Sequence, residues 1–212
     1  MTTDVLTGTL RGAPWRRLAI LGDSVAEGLG DPADGYPPPP WADRLADLLR
    51  EHQPDLAYAN LGLRDTRAAQ VRDTQLAAAL DFRPDLAVVA AGGNDMLRRS
   101  FDPVAVEQAL SEIVSALRAA GAAVVIMGLF DISRSPLAAA DLRDGLRVRL
   151  AQLARLTRRV ADRHGAWYVD LGDHPASADA GIYSADRLHV NARGHAIVLA
   201  ETVRRLAAEL PR

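Results

Sequence analysis

Five short apolar runs punctuate the chain, at 17–21, 56–60, 86–91, 123–129 and 166–171, and each reads as a buried strand. Between them the apolar positions change to a period of three or four. Trp41, Leu45, Leu48 and Leu49 mark one helical stripe. Val104, Leu110, Ile113, Val114 and Leu117 mark a second, behind Asp102 as a cap and Pro103 as a first-turn residue. The clearest stripe is Leu142, Leu146, Leu150, Leu153, Leu156 and Val160, whose intervening arginines face solvent. A last helix is predicted over about 193–209. Strands alternating with helices of this length predict an α/β fold with a mostly parallel sheet covered on both faces.

In such a sheet ligands sit outside the carboxyl ends of the strands, and that rule sorts the polar residues. Asp23 and Ser24 follow the first strand, Asn94 and Asp95 the third, and 131–135 the fourth, so all three groups open onto one rim. The segment with Asp186 and His189 precedes the last helix and can return to the same rim. The proline run at 37–40, preceded by 31–36, is too stiff for a helix interior and reads as a rim loop leading into the Trp41 helix.

Composition narrows the classes. At 212 residues the chain fits one domain over 1–212 with a substantial core. A net charge of −2, from 25 Lys and Arg against 27 Asp and Glu, offers no single-sign field for nucleic acid or an anionic membrane. The absence of cysteine removes disulfides, thiolate nucleophiles and sulfur-bound zinc. No apolar stretch approaches the roughly 20 residues that span a bilayer, so stable membrane insertion is not expected. The start is polar, without a signal-peptide pattern, so the chain as written reads as cytoplasmic, with secretion left open if a leader was removed. The richness in alanine and arginine reads as a genome-wide bias, and nothing in the sequence reports an oligomeric state.

The chemistry lies in three separated blocks. Gly22-Asp23-Ser24 stands where a strand turns into a helix, and Ser24 there is either a helix N-cap or a nucleophile. A nucleophilic serine needs a base near pH 7, and the base needs a partner to fix its tautomer. Asp186-Arg187-Leu188-His189 offers both, a carboxylate and an imidazole three residues apart in a polar stretch, against the plainer reading of a surface loop. His174 is the competing base, since it too follows a strand; His52, His164 and His195 read as structural or exposed. Gly92-Gly93-Asn94-Asp95 is either an ordinary turn or a place where the Asn94 amide donates to a developing oxyanion.

Together these blocks resemble the SGNH hydrolases, also called GDSL esterases and lipases, over about 16–205, with 1–15 as an N-terminal extension. The resemblance implies a three-layer α/β/α sandwich with a central, mainly parallel five-stranded sheet, related to flavodoxin. It also implies a serine esterase working through an acyl-enzyme, on a small-molecule ester or acylated substrate, with no cofactor and no metal. By residue it implies Ser24 as nucleophile and oxyanion donor, His189 as base, Asp186 as orienting acid and Asn94 as a further donor. Asp23, Gly62, Gly93 and Asp95 support them. The family's second block, here Asn60-Leu61-Gly62-Leu63-Arg64-Asp65-Thr66 between the first and the Gly92 block, departs from the family, because the usual glycine position falls at Asp65, while Gly62 arrives three residues early. The Asp65 N–H is available whatever the side chain, and its carboxylate is expected to cap a helix over about 66–80 rather than to face the oxyanion.

Other classes fit less well. An acyltransferase or an acyl-binding protein would use the same pocket. A metal-dependent phosphoesterase lacks paired histidine ligands, with five histidines in all. Gly22, Gly28 and Gly30 do not make a dinucleotide fingerprint. The loops at 31–40 and 131–137, with Met96 and Leu97, are expected to line the acyl side.

Overall fold

The computed structural model describes residues 8–210. Five strands form one wholly parallel sheet: β1 (Arg17–Gly22), β2 (Ala57–Asn60), β3 (Leu86–Ala90), β4 (Ala123–Met127) and β5 (Trp167–Val169). Their order in space is β2-β1-β3-β4-β5. The helices are α1 (Ser24–Glu27), α2 (Trp41–Arg50), α3 (Ala68–Phe82), α4 (Gly93–Leu97), α5 (Pro103–Ala119), α6 (Ala140–His164) and α7 (Ala192–Ala207).

Two-residue alternation in the strands divides the core into two layers. Leu18, Ile20, Leu86, Val88, Val125 and Met127 face α2 and α7, where Trp41, Leu45, Leu49, Val198 and Val203 meet them. Ala19, Leu21, Ala87, Val89, Val124 and Ile126 face α3, α5 and α6 on the other side. Both sheet faces are therefore dry, which is why the strands read as continuous apolar runs rather than alternating ones. The result is the three-layer α/β/α arrangement with a central five-stranded parallel sheet.

Several boundaries move for identifiable reasons. Strand β4 stops at Met127, short of the expected 129. Gly128 there donates to Val169 O at 2.8 Å, and a Cβ on it would stand 2.4 Å from the Tyr168 hydroxyl, so the chain crosses close to β5 and then leaves the sheet. The apolar run continues into Leu129 and Phe130 because those residues line a cavity, not because they pair. Asp102 caps α5 as expected, its Oδ1 accepting from the N–H groups of Val104 and Ala105. The described part of the N-terminal extension packs onto the α2 and α7 side, where Leu10, Ala13 and Trp15 are buried.

The sheet order reverses at β1, whose neighbours are β2 and β3. The crevice beyond the carboxyl ends of β1 and β3 is where such folds place ligands. Ser24 follows one of those ends and Asn94 the other.

Candidate active site

The turn after β1 is built for close approach. Gly22 has φ +145°, and a Cβ on it would lie 1.9 Å from Ala90 O, so β1 can sit against β3 here only without a side chain. Asp23 donates its N–H to Ala90 O at 3.0 Å and takes the N-cap of α1, its Oδ1 accepting from Val25 N–H at 3.0 Å. Capping therefore belongs to Asp23, and Ser24 becomes the first helical residue. Its hydroxyl is free for another partner, and an N–H in the first helical turn has no intrahelical acceptor.

That partner is His189. Nε2 of His189 lies 2.8 Å from Ser24 Oγ, and Nδ1 lies 2.6 Å from Asp186 Oδ2. The other Asp186 oxygen accepts from the N–H groups of Leu188 at 2.9 Å and His189 at 3.0 Å, so the carboxylate is oriented by its own loop. Arg187, at φ +61°, supplies the left-handed turn that folds the loop back. Burial alone would raise the Asp186 carboxyl, but the hydrogen bonds from His189 and Leu188 outweigh it and hold the group below the usual aspartate range. An ionised Asp186 places the ring proton on Nδ1 and leaves Nε2 to accept from Ser24.

Asp23 behaves in the opposite way. It is 1% exposed, and burial pushes its carboxyl up to about 7; the Val25 N–H opposes that rise and the nearby charge of Asp95 adds to it. Its Oδ2 is buried without a hydrogen-bond partner.

The second and third blocks hold each other. Asn94 donates from Nδ2 to Thr66 O at 3.0 Å, which leaves the second amide hydrogen free, and Asp95 Oδ2 accepts from Ala68 N–H at 2.9 Å. Helix α3 begins at Ala68 behind Arg67, whose N–H is taken by Gln70 at 3.0 Å. The expected capping by Asp65 is thus replaced by Asp95 and Gln70, because the helix starts two residues later than the sequence reading placed it. Asp65 is exposed, lies outside the cavity wall and has φ +63°, the region that favours glycine. Gly62 is a packing glycine, since a Cβ there would stand 2.3 Å from Glu27 N. Gly93 leaves room for Leu129, whose Cδ1 would be 3.1 Å from a Cβ at that position.

Three positioning groups escaped the sequence reading. Gln75 on α3 brackets Gly22, its Oε1 accepting from Gly22 N–H at 2.8 Å and its Nε2 donating to Gly22 O at 2.9 Å. The signal was a glutamine on the buried stripe Ala68, Val71, Gln75, Ala79. Asp31 holds the Asp186 loop: its Oδ2 accepts from Ala185 N–H at 2.7 Å, and its N–H donates to Ser184 Oγ at 2.9 Å. Glu27 accepts from the Arg64 N–H at 2.7 Å and pairs with the Arg64 guanidinium, tying the second block to α1. Asp31 lies in a loop and Glu27 ends the short helix α1, places where an acidic residue carries no local signal.

The remaining histidines point elsewhere. His174 Nδ1 accepts from Ala176 N–H at 3.1 Å, and its Nε2 lies 3.5 Å from Glu201. His195 is buried and donates to Leu29 O at 3.2 Å, and His164 pairs with Ser111. Among the described residues no cluster of His, Asp or Glu is placed to hold a metal ion, and no helix is long and apolar enough to cross a membrane.

Beside Asp23, Ser24, Asn94 and His189 opens a cavity whose other walls are mostly apolar, among them Met96, Leu97, Leu129, Phe130, Ile132 and Leu150. The expected contribution of the 31–40 loop is absent from this wall. Asp31 is fastened to the Asp186 loop, and Pro40 packs on Gly28, where a Cβ would meet it at 2.4 Å. Leu137 packs against the α2 and α7 core instead.

Known structures share this architecture. LAE5, described as an alpha/beta hydrolase from the metagenome of Lake Arreo, Spain, superposes with a TM-score of 0.73 at 21% identity, over 95% of this chain and 98% of that one. Axe2, an acetylxylan esterase from Geobacillus stearothermophilus, gives 0.72 at 18% identity over 92% and 94%. TesA gives 0.73 at 23% identity over 92% and 99%. In sequence, an arylesterase from Vibrio mimicus is 34% identical over 113 residues, 52% of this chain and 53% of that protein, so the chain spans about half the length of the curated relative it matches. The family model described as the GDSL-like lipase/acylhydrolase family matches residues 20–197, from β1 into α7, and the chain belongs to that family.

Proposed function

We propose that the protein is a serine esterase that hydrolyses carboxylic esters through an acyl-enzyme on Ser24. The observation that carries this reading is the unbroken chain from Ser24 Oγ through the His189 ring to Asp186, with separations of 2.8 and 2.6 Å. The relatives add support. In the Geobacillus stearothermophilus acetylxylan esterase, variants described as catalytic mutants replace a serine, an aspartate and a histidine, the last two three residues apart. Asp186 and His189 have that spacing.

In the proposed cycle His189 Nε2 takes the Ser24 hydroxyl proton as Oγ bonds to the acyl carbon, and the carbonyl electron pair moves onto oxygen. The N–H groups of Ser24 and Asp65 and the free amide hydrogen of Asn94 hold that oxyanion. Collapse expels the alcohol, which takes its proton from His189, and the acyl group stays on Ser24. Water then repeats the sequence with His189 as base and releases the acid. Asp186 remains ionised throughout, stabilising the imidazolium. A thioester enters the same cycle with a thiol leaving group, and an alcohol in place of water would make the second half an acyl transfer.

The test is labelling by a fluorophosphonate read by intact mass. One adduct is expected on the wild-type protein and none on Ser24→Ala. A folded wild-type protein that takes no adduct would overturn the serine mechanism.

A further inference from the structure

A second cavity lies against the first, on the α6 side of the β4 tip. The two share Gly128, Leu129 and Leu150 as walls. The second runs on between Ala91 and Met127 on the sheet side and Ala151, Leu153 and Ala154 on α6, and reaches solvent near Arg147 and Asp173. Ser24, Asn94 and His189 line the first cavity, and the second carries no part of the proposed chemistry.

Leu129 is the natural partition. It follows the end of β4 and is only half-buried, and its Cδ1 reaches across to Gly93. A side chain at Gly93 would close that space, and Leu129 occupies it instead. Leu150, by contrast, is 6% exposed and anchored on α6, so it forms fixed floor to both cavities. A loop leucine can change rotamer where a packed helix leucine cannot.

We propose that the second cavity is the distal half of the acyl-binding site and that Leu129 sets the length of straight-chain acyl group accepted. This deepens the esterase reading and rests on it. A short acyl group ends in the first cavity with Leu129 as found. A longer saturated chain passes the Gly128 and Leu129 neck, which requires Leu129 to swing aside, and ends against Ala151 and Ala154. The second cavity is mixed, with Asp131, Arg147, Thr157 and Asp173 among its walls, but Ala91, Met127, Leu150, Ala151, Leu153 and Ala154 give an apolar path for methylene groups, each of which gains from leaving water.

The experiment measures kcat/KM for p-nitrophenyl esters from acetyl to dodecanoyl, alongside labelling of Ser24 by alkyl phosphonofluoridates of matching chain lengths. Leu129→Ala is expected to raise the dodecanoyl-to-butyryl ratio of kcat/KM at least about tenfold, whatever its effect on butyryl turnover. Ala154→Phe fills the second cavity. It is expected to cancel that gain in the Leu129→Ala background and to lower only the longest chains in the wild-type protein. An unchanged ratio in Leu129→Ala overturns the proposal, as does an equal loss at every chain length in Ala154→Phe. Should Leu129→Ala fold poorly, Leu129→Trp is expected to shift the preference toward acetyl, and no shift counts against Leu129. Adducts on Ser24 whose rates ignore both substitutions leave the esterase reading standing and sink this one. No adduct at any chain length sinks both.

Discussion

At the level of single residues, Asp23 and Ser24 divide two tasks that the serine alone could not perform together. A serine that caps a helix spends its oxygen on a backbone N–H, whereas a nucleophile must offer its proton to a base. Asp23 takes the Val25 N–H, so Ser24 is left to His189. Asn94 is similarly shared, with one amide hydrogen on Thr66 O and one free. Replacing Asn94 with Ala is expected to lower kcat by about 10² to 10³ with KM changed much less, because the donor matters once charge has moved onto the carbonyl oxygen. Comparable losses in kcat and a rise in KM would instead mean that Asn94 holds the ground state. Asp65 tests the reverse. Its proposed contribution is a backbone N–H in a left-handed conformation, so Asp65→Gly is expected to keep wild-type kcat or raise it a few-fold. A large loss in steady-state turnover would show that the carboxylate itself is needed.

At the level of elements, the nucleophile turn depends on a helix that contributes no reacting group. Gln75 gives β1 the pair of hydrogen bonds that a neighbouring strand would have given at Gly22. Gln75→Leu leaves the Gly22 N–H buried without its acceptor, while the carbonyl keeps the Leu63 N–H at 3.1 Å, at a cost of about 1 to 3 kcal/mol. Urea unfolding should show that loss, and kcat should fall more than KM changes. Stability within about 0.5 kcal/mol of wild type would mean that water or Thr66, whose hydroxyl lies 3.4 Å from Gly22 O, replaces the glutamine. Elements of this kind mark what could be read from the sequence. Strands β1 and β3 and helices α5 and α6 were legible because burial on both faces or on one stripe leaves a clear period. The three chemical blocks were legible because each sets polar residues directly after or before an element, two of them beside glycine. What was missed depends on contacts distant in sequence: Gln75 with Gly22, Asp31 with Ala185, and the short helix α4 after Gly92. The start of α3 was misplaced because its first N–H is satisfied by Asp95 from another loop, a partner that no local pattern reveals.

At the level of the whole molecule, two sets of carboxylates give stability opposite dependences on pH. Asp186 and Glu27 have folded values below their unfolded ones, so what they contribute is present near neutrality and is lost as pH falls through those lowered values. Both are partly exposed, and solvent screens the effect. Asp23 runs the other way. Its carboxyl rises from 3.8 to about 7 on burial, so between those values the folded protein holds a proton that the unfolded chain has released. Stability from this group therefore falls as pH climbs from about 4 to 7, and the full cost, on the order of 4 kcal/mol, stands above 7. Asp23→Asn keeps an oxygen for the Val25 N–H and removes the titration. Its stability relative to wild type is expected to increase as the comparison moves from pH 4 to pH 8, measured by urea unfolding at each pH. A difference that stays flat across that range would mean that Asp23 is ionised in the folded protein throughout. It would then stand as a fixed negative charge beside the proposed oxyanion, opposing the transition state of the proposed cycle. The same variant's kcat separates the two cases: little pH-dependent change for a carboxyl that is neutral while the protein works below 7, and a gain at every pH for one that is always charged.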